Sequence, residues 1–516
     1  MQAPERGLSL YFCLLSRSDI LNRTFEKYFP IAVLNGAYRQ QRKDPPALRR
    51  EQFAFDLAYF TRLNDQLAEF TTRSRGRVEV TGPPANEVCF RIHIHYFTEN
   101  HTAIVEVTMS WPLILLWYGG ISMKQVITTE NIPIKLWLDD IEDGALVQAE
   151  NLANLPFAFK HIALMPDTHL GYGMPIGGVL ATENVIVPNA VGVDIGCGVR
   201  AVKTGLTMLD QETIKIIMGG SKENHGGIRS SIPVGYKHHS KKQAGIWMPS
   251  FRKDSPQILY DFYEAGRKQV GTLGGGNHFI EIQKGSDGFI WLMIHSGSRN
   301  IGYQVANYFN DIAEALNEKW FSQVPKVWGL AFLPLDTQEG QGYLKAMDYC
   351  VEFARCNRAL MMRNVKAAVS EVCSEVVFLE EFDVAHNYAA LEHHFGRNVV
   401  VHRKGATKAM NGQLGIIPGS QGTSSFIVEG LGNPDSFMSC SHGAGRKMGR
   451  KQAIRELNLE VEKKRLDDQG IVHSIRNEKD LDEAAGAYKD IDEVMENQKD
   501  LVVPFVELKP LAVIKG

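Results

Sequence analysis

No two of the seven cysteines (Cys13, Cys89, Cys197, Cys350, Cys356, Cys373, Cys440) are spaced as a Cys-x-x-Cys pair, and their number is odd. That argues against a disulfide framework and against structural zinc held by cysteine pairs, and for a reducing compartment. Long apolar runs are scarce too: the most membrane-like stretch, Trp111 to Tyr118, is far shorter than the ~20 residues a spanning helix needs. Met1 to Arg6 lacks the cationic start and following apolar run of a secretory signal. The formal net charge is -3, so no surplus of positive charge advertises a nucleic-acid partner, and any such partner must meet a local patch. A Gly-x-x-x-x-Gly-Lys-Ser/Thr phosphate loop, a short internal repeat and a low-complexity linker are all missing. These absences leave an ordinary globular composition, 44% hydrophobic and 22% charged over 516 residues. A cytoplasmic location, no membrane partner and room for roughly two to four domains are expected.

Lysine is nearly absent from the first part of the chain. Residues 1–122 hold twelve Arg and two Lys, residues 123–516 fifteen Arg and twenty-seven Lys, which accounts for all 56 basic residues. One domain under one codon and selection regime rarely shows such a switch. Residues 1–122 are therefore set apart as an N-terminal extension, either an appended domain or a segment upstream of a natural start at Met123, the reading favoured here. Helical patterning surrounds Phe53 to Phe70, and Arg91-Ile-His93-Ile-His95-Tyr96-Phe97 alternates like a strand. His93 and His95 share one face of that strand, a hint of a metal pair, although a half-exposed strand face is the simpler reading. No chemistry is read from this segment.

From Met123 onward, helix and strand patterns mix. Ala181 to Val193 reads as an apolar strand running into Gly192-Val-Asp194-Ile-Gly196-Cys197-Gly198. Gly288-Phe-Ile-Trp-Leu-Met-Ile294 is continuous, β-branched and aromatic, as expected of a strand buried on both faces. Leu344 to Val372 is predicted as a long helix, with Leu344, Met347, Val351, Ala354, Met361, Val365, Ala368 and Val372 at helical spacing. Lys447 to Lys499 is charged, and is expected to be helical in pieces and mostly solvated.

Five polar clusters interrupt the apolar stretches. They are the Asp194–Cys197 loop, Gly274-Gly-Gly-Asn277-His278-Phe279-Ile280-Glu281, Ile294-His295-Ser-Gly-Ser-Arg299, Val384-Ala-His386-Asn387-Tyr388 and Cys440-Ser-His442-Gly443-Ala444-Gly445-Arg446. Asp, Cys and His are metal-ligand types, and glycines beside them let backbone approach an ion or a phosphate closely. Taken singly, the first is a turn Asp with a buried Cys, and each His is a satisfied structural histidine. His295, however, closes a buried strand, where an unpaired imidazole is costly unless bonded or metallated. His278, His295 and His386 at three strand ends, joined by Asp194 and Cys197, tip the balance toward ligands; Cys440 is read as a small buried residue. Five ligands exceed one tetrahedral ion, and a bridging thiolate lets them hold two, an arrangement suited to phosphoryl-type transfer. Mixed O/N ligation fits manganese, with zinc and iron left open. The small neighbours of His442 leave room for a bulky adduct on its imidazole, a competent nucleophile toward phosphorus. Pro418-Gly419-Ser420-Gln421-Gly-Thr-Ser-Ser425 offers amides and hydroxyls of the kind that cradle a phosphate or a base edge. Arg299 and the basic loop Lys237-His-His-Ser-Lys241-Lys242 are candidate phosphate contacts, the loop equally well a solvated one.

With Thr128-Thr-Glu-Asn131, Met165-Pro-Asp-Thr-His169, all five clusters and the terminal Val513-Ile-Lys515-Gly516, the chain from Met123 to Gly516 resembles the RtcB family of RNA ligases over roughly three quarters of its length. The resemblance implies an α+β, RtcB-like fold: mixed, largely buried β-sheets flanked by helices around a central metal and nucleotide cleft. It also implies two Mn2+ ions bridged by Cys197, one completed by Asp194 and His278, the other by His295 and His386. His442 is then the nucleophile that takes GMP from GTP. Guanylate contacts fall on Asn277 to Glu281 (Phe279 and Ile280 included), His386, Asn387, Pro418 to Gln421, Ser425, Gly443, Ala444, Gly445, Tyr488 as a stacking partner, and Lys515. The implied reaction opens an RNA 2′,3′-cyclic phosphate to a 3′-phosphate, activates it with GMP from His442, and joins it to a 5′-hydroxyl end with loss of GMP. A monomer is expected, with an archease-type activator left open. Gln421 stands where methionine is frequent and Asn300 where glycine is frequent. Two rival classes share parts of the pattern: a dinuclear metal-dependent phosphohydrolase, which has no need of His442 or Lys515, and a non-catalytic RNA-binding protein with a structural metal. No Lys-x-Asp-Gly motif occurs, which argues against a lysine-linked nucleic-acid ligase.

Overall fold

The computed structural model describes residues 123–221 and 226–516, together with the backbone of four earlier strands, Leu8–Leu15, Val78–Thr81, Cys89–Phe97 and Thr102–Ser110. The chain divides into two units, Met1–Gly119 and Gly120–Gly516. In the first, the four strands form an antiparallel sheet in the order Leu8–Leu15, Thr102–Ser110, Cys89–Phe97, Val78–Thr81. The alternating segment with His93 and His95 is thus a strand; its side chains, and the helical pattern of Phe53 to Phe70, lie outside the described residues.

Two large sheets organise the second unit. The first has seven strands, in the order Phe378–Ala385, Gly198–Thr204, Ile290–Ser296, Phe279–Gly285, Val502–Lys515, Ser425–Gly430 and Leu414–Ile417. Every neighbouring pair in it is antiparallel. The second has six strands, from Asn387–His394 and Arg397–Lys404 through Met174–Thr182 and Ala158–Tyr172 to Ile134–Leu136 and Gln125–Ile127. Its one parallel pair among the described residues, Ile134–Leu136 with Ala158–Tyr172, makes it a mixed sheet, as expected, whereas the seven-stranded sheet is antiparallel throughout. Among the described residues no helix is long and apolar enough to cross a membrane.

The central strands of the seven-stranded antiparallel sheet are buried on both faces, which explains the continuous apolar run of Ile290–Ser296, buried at every position. Val202, Ile280, Ile282, Leu292 and Ile294 pack under the long helix Gln338–Val372 with its Met361, Met362, Val365 and Val369. Val199, Ala201, Trp291, Met293 and Val513 pack on the other face with Leu466, Ile471 and Ile475. Each such aliphatic side chain, once fully buried, contributes roughly 1.5–3 kcal/mol.

Three expectations need correction. The long helix starts at Gln338 rather than Leu344, because the Thr337 hydroxyl caps the Gly340 amide at 3.1 Å ahead of the apolar pattern. The strand expected over Ala181 to Val193 is broken: Met174–Thr182 ends, Asn184 turns the chain at φ 59, and after Val185–Ile186 Pro188 opens a 3-10 turn. Proline has no amide to give to a ladder. The tract from Lys447 to Lys499 does form short helices (Arg450–Glu456, Leu459–Asp467, Ile491–Glu496), but it covers the second face of the sheet, burying Leu466, Ile471, Leu481, Glu462 and Glu483.

Candidate active site

Register brings the candidate ligands together. Gly198 pairs with Ser296 on one side and with Ala385 on the other, and Phe279 pairs with His295. Cys197 just before one strand, His278 just before another, His386 just after a third and His295 inside the fourth therefore meet at one end of four adjacent strands. Gly196, at φ 77 and tight against the backbone of Val351 in the long helix, turns the chain so that Asp194 joins them.

The distances define two groups that share a sulfur. Asp194 Oδ2 lies 3.1 Å from His278 Nε2, which lies 3.5 Å from Cys197 Sγ. Cys197 Sγ is 3.3 Å from His295 Nε2, which is 3.3 Å from His386 Nε2. In each group, Asp194–Cys197–His278 and Cys197–His295–His386, the ligand atoms lie within 4.8 Å of one another. His295 Nδ1 faces the Asn277 carbonyl at 3.2 Å, which puts its proton there and leaves Nε2 as a bare lone pair. Burial, followed by neighbouring positive charge, holds His295 and His386 well below the ordinary histidine range, so both rings are neutral. Burial and then Asp194 push the Cys197 thiol well above its usual range. Burial opposes ionisation of Asp194, but His278 and Arg299 overcome it and hold that carboxyl at about 2. Neutral imidazole lone pairs, a thiol and a carboxylate meet in one buried spot, and His386 Nδ1 has no hydrogen-bond partner among the described residues. Such a set fits divalent cations.

His442 reaches this cluster from another direction. Ala406–Lys408 pairs with Ser439–Ser441, Ala406 opposite Ser441, and the preceding Gly405 donates its amide to the His386 carbonyl at 2.9 Å. The His442 and His386 rings are consequently 4.8 Å apart between centroids. Asp167, fully buried on Ala158–Tyr172, takes His442 Nδ1 at 2.6 Å and the amides of His442 and Gly443 at 3.0 and 3.3 Å through one oxygen. Burial works against the Asp167 carboxylate, yet His442 keeps it below its ordinary range. The ring is thus locked through Nδ1, with Nε2 left as its free nitrogen.

The remaining candidates divide into two parts. Glu281, Ser425 and Pro418 to Ser420 form one hydrogen-bonded chain: Gln283 donates to Glu281 at 2.7 Å and to Ser425 at 3.1 Å, and Ser425 accepts the Gly419 amide at 3.2 Å. Ser420 closes the loop through Thr423 at 2.7 Å, and the Pro418 carbonyl takes the Ala444 amide at 3.0 Å. Burial raises Glu281 to about 8 despite the charge of Lys515, whose Nζ lies 5.6 Å from the Phe279 ring centre. Tyr488, Gln421, Arg446 and Arg450 converge instead on buried Glu483, with Arg446 and Arg450 at 2.8 and 2.7 Å from its carboxylate and the Tyr488 hydroxyl bonded to it. Asn387 braces the site, donating to the Asp194 carbonyl at 3.1 Å and accepting the Gly405 amide at 2.8 Å. The Ile280 side chain lies in the core under the long helix, and Ala444 in the core beside Ile417 and Cys440.

The sequence that builds this arrangement has relatives among known proteins. The family model described as tRNA-splicing ligase RtcB matches residues 148–516. The RNA-splicing ligase RtcB of Escherichia coli (strain K12) is 39% identical over 425 residues, 76% of this chain and 99% of the relative. The chain belongs to the RtcB family. A tRNA-splicing ligase RtcB of Pyrobaculum aerophilum is 33% identical over 462 residues, with 75% and 95% of the two chains covered. An RNA-splicing ligase RtcB of Mycobacterium bovis is 31% identical over 446 residues, with 72% and 100% covered. Within this RtcB chain, sequence reading gave no role to Asp167, Gln283 or Glu483. Asp167 had a signal, since it sits in the Met165-Pro-Asp-Thr-His169 motif, but its partner is 275 residues away. Glu483 had none, being one acid among many in a charged tract.

Proposed function

We propose that this chain is a GTP- and manganese-dependent RNA ligase that joins 2′,3′-cyclic-phosphate or 3′-phosphate ends to 5′-hydroxyl ends through a guanylylated His442. One observation carries the reading: a histidine held through Nδ1 by a buried carboxylate, with its other nitrogen free beside a double ligand set. Asp194 and His278 would hold one ion and His295 and His386 the other, with Cys197 shared, in a cleft that also takes the guanylate. Two divalent cations there would neutralise crowded phosphate charge and orient phosphoryl oxygens. Arg299 Nη1 lies 3.4 Å from His278 Nδ1 and donates to it, so the His278 proton faces Asp194, where a bound cation would take its place.

His442 Nε2 attacks the α-phosphorus of GTP, forming a P–N bond and expelling pyrophosphate. Asp167 holds the Nδ1 proton and stabilises the positive charge that develops on the ring, as a buried acid does for a catalytic imidazole. The RNA 3′-phosphate then takes GMP from His442, restoring the free ring, and the 5′-hydroxyl attacks the activated phosphate and releases GMP. Asn277, Glu281, the Pro418 to Gln421 loop, Ser425, Gly443 to Gly445, Tyr488 and Lys515 are the proposed guanylate contacts. A monomeric cytoplasmic enzyme accepting an archease-type activator completes the proposal. Incubation with labelled GTP and manganese tests it: the label should become covalent, acid-labile, alkali-stable and located on His442. Turnover of phosphate esters without any covalent label would make the site that of a dinuclear phosphohydrolase instead.

A further inference from the structure

The proposed reaction leaves one exposed aromatic side chain near the ligand cluster unused. Tyr236 has 101% of its reference surface open and makes no hydrogen bond, ion pair or ring contact among the described residues. A lone exposed aromatic is ordinary; its surroundings set this one apart. The turn that carries it is pinned from both sides. The Leu273 amide donates to the Pro233 carbonyl at 2.9 Å, the Gly235 amide to the Gly274 carbonyl at 2.9 Å, and the Lys237 amide to the Val234 carbonyl at 3.2 Å. Two residues past Lys237, the His239 ring bonds the Gly271 carbonyl at 3.1 Å. The strip it is pinned to, Gly271 to Asn277, leads directly into His278. Gly275 is exposed, and a Cβ on it would meet only Gly235, at 3.8 Å. Arg299 lies so close over Gly274 that a side chain there would run into its guanidinium.

The loop is also electrically one-sided. Lys237 and Lys241 are exposed and have no carboxylate partner among the described residues, and only Lys242 is paired, with Glu264 at 2.6 Å. A flat, water-exposed ring on a fixed backbone, among unpaired cations and beside a glycine floor open to solvent, has the features of a single-stranded nucleic-acid platform. There a base stacks on the ring while the cations follow the backbone. An acidic protein partner would use the same cations but gives no reason for a bare ring.

We infer that Tyr236 is a stacking platform for one unpaired nucleobase of the RNA close to the ends being joined, with Lys237 and Lys241 on the adjoining phosphates. This rests on the ligase reading and adds to it a contact outside the metal and guanylate sites. The test uses the full chain and its Tyr236→Ala, Tyr236→Phe and Tyr236→Trp variants. The probes are one oligoribonucleotide with a 3′-phosphate and one with a 5′-hydroxyl, each also made with a single abasic nucleotide at successive positions from the junction. Labelling by GTP, which needs no RNA, is read first. If the unaltered chain takes no label, the ligase reading fails, and Tyr236 is then judged by binding of the same oligonucleotides alone. Tyr236→Ala should raise the RNA concentration for half-maximal joining or binding by about ten-fold, while the Phe and Trp variants stay near the unaltered chain. One abasic position should reproduce the loss in the unaltered chain and add nothing further in Tyr236→Ala. Unchanged RNA dependence in Tyr236→Ala overturns the inference. So does a Phe variant as weak as the Ala variant, which would assign the contact to the phenol hydroxyl.

Discussion

His442 presents its two nitrogens to two different surroundings, and that asymmetry defines the residue scale. Nδ1 is bonded at 2.6 Å to a carboxylate that is itself fully buried, whereas Nε2 is left for chemistry. Replacing Asp167 with Asn keeps the shape but loses the negative charge that supports a ring becoming positive. Guanylylation of Asp167→Asn should slow by roughly 100-fold or more in single-turnover labelling, with metal content unchanged. Equal rates would reduce Asp167 to a structural partner. Cys197 is the other pivotal residue, since it alone belongs to both ligand groups. Cys197→Ala should leave the purified protein short of manganese and unlabelled by GTP; a fully labelled variant at ordinary manganese concentration would rule out a shared thiolate.

At the scale of elements, the site depends on one helix holding several strand ends. Arg358, on Gln338–Val372 and fully buried, bonds the Asp383 carboxylate at 2.7 and 2.6 Å, the Gly196 carbonyl at 2.9 Å and the Ser296 carbonyl at 2.8 Å. It thereby fixes the turn before Cys197, the residue after His295 and the strand that leads to His386. Arg358→Met takes the two-pronged partner from Asp383 and leaves it only Arg200, at 3.6 Å, so the expected loss is about 3 kcal/mol in denaturant unfolding. Arg358→Met with Asp383→Leu should recover much of that stability without recovering manganese affinity, because the carbonyl contacts stay broken; recovery of both would show that Arg358 only balances charge. Elements also mark where sequence reading succeeded and failed. Ile290–Ser296 was legible because burial on both faces leaves an unbroken apolar run. The first turn of the long helix was not, because its signal is the Thr337 cap and no apolar spacing precedes Leu344.

At the scale of the whole molecule, local pattern and long-range pairing diverge. Asp194, Cys197, His278, His295 and His386 could be named in advance because each flanks an apolar strand, and strand register then assembles them. Asp167 and Glu483 could not, since a buried carboxylate looks like a solvated one until its partners, His442 for one and Arg446 and Arg450 for the other, arrive from elsewhere in the chain. The division at Gly119 and Gly120 and the family match over 148–516 place every proposed functional residue in the second unit. A chain beginning at Met123 should therefore fold and take label from GTP as well as the full chain does; an insoluble or inactive product would make residues 1–122 an integral domain. The central claim, that His442 carries the nucleotide, is tested most directly by the intact mass of the full chain after GTP and manganese. The unaltered protein should gain a single GMP, lost in acid and kept in alkali, and His442→Ala should gain none while binding manganese normally. An adduct persisting in His442→Ala, or mapping to His386 or a lysine, would contradict the account.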